Sequence, residues 1–157
     1  MKNIWAKLSI AAAIASLAAG TAFGADNSLG TWKLNMEKSK FSPTPIVKSL
    51  TTTREAADGG VKVTGTGEQA DGTTINTSYT AKYDGSDTPV TGAPWDTIAI
   101  KQLNANILTS SAKKTDGKYR STSRTVILKN GKTMTTTVKG TNAEGKAFTN
   151  TMVYDKQ

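Results

Sequence analysis

The sequence contains no cysteine and no histidine among its 157 residues. Without cysteine it can form neither disulfides nor a thiol nucleophile. Without histidine it cannot assemble a Ser-His triad, and the common zinc sites need one or both residues. No glycine-rich phosphate loop opens a helix either, because no helical pattern follows the first residues. We therefore expect no catalytic residues, no metal and no cofactor, and we predict that the protein is not an enzyme.

Large apolar residues are also few. Leu, Ile, Val and Phe account for 21 of residues 25–157, whereas Thr alone accounts for 25 of them. Thr is β-branched and favours strands, but it contributes little apolar surface to a core. This composition predicts either a small core or an interior that is partly polar and hydrated. A barrel with a cavity suits the second case.

Residues 1–24 have the pattern of a secretory signal peptide. Two lysines precede an apolar run over residues 8–19, and a small-x-small cleavage pattern ends at Gly24. The run is shorter than the roughly 18 residues that a membrane-spanning helix needs. We expect cleavage between Gly24 and Ala25, one domain over residues 25–157, no transmembrane segment, and a periplasmic or secreted bacterial protein.

Six short turn signals divide the remaining chain, in two groups of three that are spaced 13 residues apart in the first group and 14 apart in the second. Asp-Gly and Asn-Gly pairs supply the positive φ that tight hairpin turns require. Between them lie stretches of about ten residues rich in Thr, Val, Ile and Tyr, which are typical of strands. The six signals are Asp58-Gly59, Asp71-Gly72, Asp84-Gly85, Asp116-Gly117, Asn130-Gly131 and Glu144-Gly145.

This punctuation predicts an all-β fold, a single up-and-down antiparallel meander of about ten strands. Closure into a β-barrel would remove the edge strands that invite aggregation, so a barrel is the first choice and a β-sandwich is the alternative. A short irregular stretch (36–41) and a proline-containing linker (42–45) separate the first two strands. The predicted strands are 29–35, 46–57, 61–69, 73–83, 88–91, 95–103, 107–115, 118–129, 132–141 and 146–155.

The first predicted strand contains Gly30-Thr31-Trp32, which resembles the Gly-x-Trp opening shared by lipocalins and intracellular fatty-acid-binding proteins. In those families the Trp closes one end of the barrel. The chain length, the strand count and the last residues of the final strand are similar to the fatty-acid-binding type. Residues 29–156 also resemble small exported bacterial proteins described only as lipocalin-like. The resemblance implies a calycin-type barrel with a small hydrophobic or amphipathic ligand, and Trp32 as its barrel-closing residue.

The same resemblance nominates residues for a ligand site. Fatty-acid-binding proteins bind a carboxylate through an Arg-x-Tyr pair in the last strand; here Tyr154 matches the Tyr, and Met152 stands where the Arg would be. A second arginine of that family has its counterpart in Arg124. The helix-turn-helix lid of the family has no equivalent, because the short segment 36–45 takes its place and contains two prolines.

Arg120 and Arg124 share one face of the predicted strand 118–129. If that face is interior, their guanidinium groups form an anion-binding wall with bidentate capacity. An arginine on a strand is more often solvated or ion-paired, and the opposite face could equally be interior. We take Arg124, Arg120 and Tyr154 as the candidate ligand contacts. The opposite face carries Tyr119, Ser121, Ser123, Thr125 and Ile127.

The charge balance suggests a second class of partner. Residues 25–157 contain 18 Lys and Arg residues and 12 acidic ones, a formal net charge of +6. The basic residues are dispersed and no aromatic RNA-binding motif accompanies them, so we expect no nucleic acid and consider anionic envelope polymers instead. The leading hypothesis is an exported monomeric barrel that binds a small amphipathic or hydrophobic molecule non-covalently. The alternative is a ligand-free envelope interaction protein with a filled barrel and a basic surface.

Overall fold

The computed structural model describes residues 24–157, so the predicted signal peptide lies outside the described residues except for Gly24. This part of the chain consists of strands and turns, and none of it forms a helix long and apolar enough to cross a membrane. The strands are β1 Gly30–Leu34, β2 Lys40–Ser42, β3 Val47–Ala57, β4 Gly60–Gln69, β5 Thr74–Lys82, β6 Thr88–Pro89, β7 Thr97–Asn104, β8 Ile107–Lys113, β9 Arg120–Ile127, β10 Thr133–Thr141 and β11 Ala147–Lys156.

Ten strands form one antiparallel sheet in the order β5-β4-β3-β1-β11-β10-β9-β8-β7-β6. The two ends of this sheet meet. Ser78 of β5 exchanges two backbone hydrogen bonds of 3.2 Å with Thr91, and the backbone N–H of Gly85 donates to the carbonyl of Ile100 at 2.9 Å. The sheet therefore curls into a nearly closed barrel. The predicted meander is confirmed, and the sandwich alternative is wrong.

The short strand β2 is the element that the sequence pattern missed. It pairs with residues 149–151 of β11, next to the pairing of β1 with residues 154–156. Between the two strands the chain leaves the sheet, and Ser39 fills the gap: its Oγ donates to the Asn35 carbonyl at 2.7 Å and accepts from the Val153 N–H at 2.9 Å. Irregular structure was expected as far as residue 41, but Lys40 and Phe41 are extended.

The hairpin turns use the expected residues. Five of the six predicted turn glycines have positive φ, between 66° and 92°. In the remaining turn the positive φ of 56° falls on Asp116 and not on Gly117. Asp is one of the few residues other than Gly that tolerate this conformation, so the turn still forms. The five glycines are Gly59, Gly72, Gly85, Gly131 and Gly145.

Buried apolar side chains form two separate clusters inside the barrel. The first is built mainly from β4, β5, β7 and β8, and the second from β1, β10 and β11 together with the ends of β3 and β9. Val61 and Ile100 are typical of the first cluster, whereas Trp32 and Met134 are typical of the second. If one contiguous core filled the interior, the two clusters would be in contact with each other. Their separation reflects the shortage of large apolar residues and leaves room between them.

Candidate ligand-binding site

A cavity of about 570 Å³ occupies the barrel interior. Both apolar clusters contribute to its wall, and hydroxyl groups interrupt the apolar surface at several positions. Pockets that bind small molecules have volumes of about 300–1,000 Å³ and combine a mainly apolar lining with a few polar groups. This cavity has both properties. Its apolar lining includes Val47, Val63, Ile98, Leu108, Met134 and Met152, and its hydroxyl lining includes Thr52, Ser110, Ser123, Thr125 and Thr136.

The cavity reaches solvent at one end of the barrel. Its lining there comes from the segment before β3, the loop between β6 and β7 and the turn between β10 and β11. Ile46 in the first of these segments is 50% exposed although it is apolar. Pro94, in the loop between β6 and β7, and Ala143, in the turn between β10 and β11, are also exposed. This end of the barrel is therefore a mouth with an apolar rim.

The chain before β1 covers the opposite end. Ser28 is fully buried there, and its carbonyl accepts a hydrogen bond of 2.8 Å from Nε1 of Trp32. The Asn27 N–H donates to the carbonyl of Ala105, in the turn between β7 and β8, at 2.9 Å. We call residues 26–29 the floor segment. It separates the cavity from solvent at this end.

Arg54 of β3 is a cation inside the cavity wall. Its side chain lines the cavity, and its Nε donates a hydrogen bond of 3.1 Å to Oγ of Ser28. Within residues 24–157 it forms no ion pair and makes no other side-chain hydrogen bond. Arg54 is half-buried. A guanidinium that is partly removed from water and has no carboxylate beside it attracts an anion.

Two tyrosines accompany Arg54 in the cavity wall. Burial raises the pKa of Tyr79, and the positive charge of Arg54 opposes this effect. Burial also raises the pKa of Tyr154 far above its usual range; the neighbouring Tyr79 adds to the increase, and Arg54 again opposes it. Both phenols are therefore neutral at physiological pH. Neutral phenols are hydrogen-bond donors. The O–H of Tyr154 donates to Sδ of Met152 at 3.8 Å, and because a thioether is a weak acceptor, an anion held by Arg54 would compete for this donor.

These shifts predict an unusual alkaline titration, because all four tyrosines of the chain have raised pKa values. Burial raises the pKa of Tyr119, and burial together with the hydrogen bond to Asp26 raises that of Tyr83 to about 12. The folded state therefore holds these protons more tightly than the unfolded chain, whose tyrosines titrate near 10. Stability from this source is complete below about pH 10 and is lost as the pH rises above it, through about pH 12 for the contribution of Tyr83.

Absorbance of phenolate at 295 nm and circular dichroism, followed together from pH 8 to 13, check this expectation. We expect no phenolate signal at pH 10, and then cooperative ionisation that coincides with unfolding. A tyrosine midpoint near pH 10 in a protein that remains folded would contradict the burial of these phenols.

Three aromatic side chains form a continuous part of the cavity wall. Trp95 stacks on Tyr119 with ring centroids 5.3 Å apart and planes inclined by 25°, and Phe148 follows at 6.0 Å from Tyr119. Nε1 of Trp95 and Oγ1 of Thr52 are buried without a hydrogen-bond partner in the described part of the chain. Both residues line the cavity. The wall thus offers aromatic faces for an apolar group, together with two polar atoms that have no partner in the described part of the chain.

Asp96 fixes the loop that carries Trp95. Its Oδ1 accepts hydrogen bonds from the N–H of Thr115 at 2.9 Å and from Oγ1 of Thr97 at 3.1 Å. Lys114 Nζ lies 3.3 Å from its Oδ2. The backbone N–H of Thr115, more than any other contact, lowers the pKa of Asp96 to about 2. The mouth loop is therefore joined to the turn between β8 and β9.

Replacing Asp96 with Asn should loosen this loop, because the charge-assisted hydrogen bonds to Thr115 and Lys114 are lost. The contribution of Asp96 to stability is complete above about pH 4, and it is lost as the pH falls through about 2. We expect faster hydrogen exchange over residues 92–96 in D96N at pH 7, and the same change in the native protein near pH 2. The exposed turn variant D58N is the control; equal exchange in both variants would contradict this role.

The candidate arginines of β9 lie on the outside of the barrel. The interior face of this strand carries Ser121, Thr125 and Ile127, whereas Arg120 and Arg124 are exposed. Nη1 of Arg120 donates to the carbonyls of Lys114 and Tyr119, both at 2.9 Å. The inward-facing option for this pair is wrong, because burying two unpaired guanidinium groups would be far more costly than exposing their aliphatic neighbours. Neither arginine can contact a ligand in the cavity.

The other two predicted site residues, Tyr154 and Trp32, are both buried inside the barrel. Tyr154 is buried and lines the cavity together with Met152, which occupies the position expected for an arginine. Trp32 is fully buried above the floor segment, with the ammonium of Lys156 at 5.1 Å from its ring centroid, and it is not among the described residues that line the cavity. Its barrel-closing role stays a prediction.

The inward orientation of Arg54 could not be predicted from the local sequence, for a physical reason. Residues 51–54 read Thr-Thr-Thr-Arg, a stretch without apolar alternation that could show which face is interior. Long-range pairing makes the choice: Thr52 lies opposite Trp32 in β1 and opposite Gly65 in β4. Because Trp32 faces inward, Thr52 and Arg54 do so as well. The signal in the sequence was therefore the spacing of Arg54, two residues after Thr52, which pairs with the inward-facing Trp32.

A scan against protein-family models and a search of the curated proteins both find no match for this chain. The nearly closed antiparallel barrel is compatible with the calycin-type fold that the Gly-x-Trp resemblance implies. The chemistry of the site rests on the cavity and on Arg54, Tyr79 and Tyr154.

Proposed function

We propose that this chain is an exported monomeric binding protein that holds a small amphipathic anion non-covalently inside its barrel. The observation that carries this proposal is Arg54, a cation that lines a cavity of about 570 Å³ and has no ion-pair partner within residues 24–157. The acidic group of the ligand lies against this guanidinium. Its apolar part lies against the aromatic wall nearer the mouth.

The polar end of the site favours an acidic group over a neutral one. Hydrogen bonds that involve a charged group contribute about 1.5–3 kcal/mol, roughly twice the contribution of neutral ones. Arg54 supplies the charge, while the neutral phenols of Tyr79 and Tyr154 line the same cavity. Because no carboxylate of the described chain pairs with Arg54, the ligand does not have to displace one. The negative charge of the ligand instead neutralises a guanidinium that has no carboxylate partner in the described chain.

The apolar part of the ligand supplies most of the affinity. Burial of apolar surface contributes about 25 cal/mol per Å², so a ligand that buries about 200 Å² gains roughly 5 kcal/mol. The cavity volume suits a molecule with a ring system or a short chain. The aromatic wall of Trp95, Tyr119 and Phe148 favours stacked or edge-on contact with such a group.

Two fluorescent probes that differ by one charged group test the proposal. 1-Anilinonaphthalene-8-sulfonate carries a sulfonate, and N-phenyl-1-naphthylamine is the same ring system without it. We expect both to bind the purified protein with one site, and the sulfonate to bind at least about 10-fold more tightly, which corresponds to about 1.4 kcal/mol. Failure of both probes to bind, or equal affinity for the two, would contradict an anion site in the cavity.

A basic surface that contacts anionic envelope polymers is the second candidate function. Lys113, Arg120 and Lys139 line a hollow of about 430 Å³ on the protein surface, together with Asp87, whose carboxylate pairs with Lys113. The excess of positive charge in this hollow favours the second function. The interior cavity argues against the filled barrel that accompanied this alternative.

Chromatography on an immobilised polyanion tests whether the hollow binds polymer. If it does, we expect salt-dependent retention of the protein that Arg120→Gln weakens and that Arg124→Gln leaves unchanged. Equal retention of the two variants would contradict it.

A further inference from the structure

The floor segment is held by several hydrogen bonds to other parts of the barrel. Asn27 donates through its N–H to Ala105 and through Nδ2 to Oδ1 of Asn106, at 2.9 and 2.8 Å. The carbonyl of Ser28 accepts from Trp32, as described above, and Ser28 is fully buried. The segment is thus held in place at the closed end of the barrel, although none of its residues lines the cavity.

Ser28 also holds the guanidinium of Arg54. Its Oγ accepts the hydrogen bond from Nε at 3.1 Å. A guanidinium is planar, with five N–H donors in a fixed arrangement. A bond at Nε therefore fixes the plane of the whole group and leaves the donors on the two Nη atoms for another partner. Within residues 24–157 those donors bond to no protein acceptor.

Asp26 holds Ser28 in turn. Its Oδ1 accepts the backbone N–H of Ser28 at 2.8 Å, and its Oδ2 accepts the phenol O–H of Tyr83. Asp26 is the acidic residue of this network, and both of its oxygens are occupied by donors other than Arg54. The carboxylate therefore orders the floor without forming an ion pair with the guanidinium. The positive charge of Arg54 remains uncompensated by a direct partner.

We infer that Ser28, held in place by Asp26, is the positioning residue that aims Arg54 into the cavity and so sets the preference for an anionic ligand. This inference rests on the proposed function and adds to it a residue outside the cavity lining. The segment that precedes the first strand, at the far end from the mouth, thereby determines which ligands the barrel accepts. A side chain that holds a donor in its bound geometry lowers the cost of binding.

The variants S28A and N27A test this inference, because both remove side-chain hydrogen bonds of the floor segment and only Ser28 contacts Arg54. S28A also removes the hydrogen bond between the side chains of Ser28 and Tyr83, which does not involve the guanidinium. The readout is the ratio of the dissociation constants of the sulfonate probe and of its uncharged analogue. We expect S28A to weaken the sulfonate about 10-fold and to leave the uncharged probe unchanged, and N27A to preserve the ratio. Equal weakening of both probes in S28A, or no change in either, would overturn the positioning role.

A second measurement keeps the inference testable if S28A folds poorly. In the unmodified protein the Nε–H of Arg54 should give a nitrogen-15 NMR signal protected from exchange with water, as expected for a hydrogen bond to a buried oxygen. Rapid exchange of this proton would overturn the inference. A different result would contradict the proposed function: no preference of the unmodified protein for the sulfonate probe over its uncharged analogue.

Discussion

Replacing Arg54 with Gln should lower the affinity for an anionic amphiphile by about 100-fold and leave an uncharged analogue nearly unaffected. The substitution removes the charge and most of the donors, yet keeps a polar side chain of intermediate length in the wall. Loss of the charge-assisted hydrogen bonds corresponds to about 2.7 kcal/mol, within the range expected for a guanidinium that contacts an acidic group. Titration of both naphthalene probes into each variant measures the effect.

The matched control is Arg124→Gln, because it makes the same chemical change on the exposed outer face of β9. We expect the control to bind both probes as the unmodified protein does. If the two variants lost the same small amount of affinity, the effect would come from overall charge and not from a site in the cavity. That result would contradict the role of Arg54.

Replacing Trp32 with Ala should destabilise the protein by about 3–5 kcal/mol, as expected for the deletion of a large, fully buried aromatic side chain. The variant loses the packing between β1 and the second apolar cluster, and it loses the hydrogen bond from Nε1 to the Ser28 carbonyl. Small domains have a total stability of about 5–15 kcal/mol, so this variant should be close to unfolding. Urea denaturation, followed by circular dichroism, gives the free energy of unfolding.

Lys33→Ala is the control for this prediction, since Lys33 is the next residue and is exposed. A surface substitution of this kind changes stability by no more than about 0.5 kcal/mol. The intermediate variant W32F retains an aromatic ring but leaves the buried carbonyl of Ser28 without its donor, and should cost about 1–3 kcal/mol. A loss below 1 kcal/mol in W32A would contradict the role of Trp32 in closing the barrel.

The barrel could be predicted from the sequence because its determinants are local. Turn residues such as Gly59 and Gly131 require the positive φ that hairpins use, and they recur at the length of one strand and one turn. The abundance of threonine and the shortage of large apolar residues predicted either a small core or a partly polar interior, and the cavity agrees with the second of these. Strand β2 was missed because three residues are too few to show alternation.

The site was harder to predict because it depends on which face of each strand points inward. In β9 both faces carry polar residues, and the cost of burying Arg120 and Arg124 decides between them. In β3 the register against β1 and β4 turns Arg54 inward, and that register joins residues far apart in the sequence. The resemblance to fatty-acid-binding proteins predicted a carboxylate site in the last strand. Tyr154 of that strand lines the cavity, but the strand contains no arginine.

A crystal structure of the protein bound to 1-anilinonaphthalene-8-sulfonate tests the central claim most directly. We predict that the rings lie inside the barrel against Trp95 and Phe148, and that the sulfonate accepts hydrogen bonds from the Nη atoms of Arg54. A sulfonate bound at the outer surface beside Lys113 and Arg120, with the cavity free of the probe, would contradict an interior anion site.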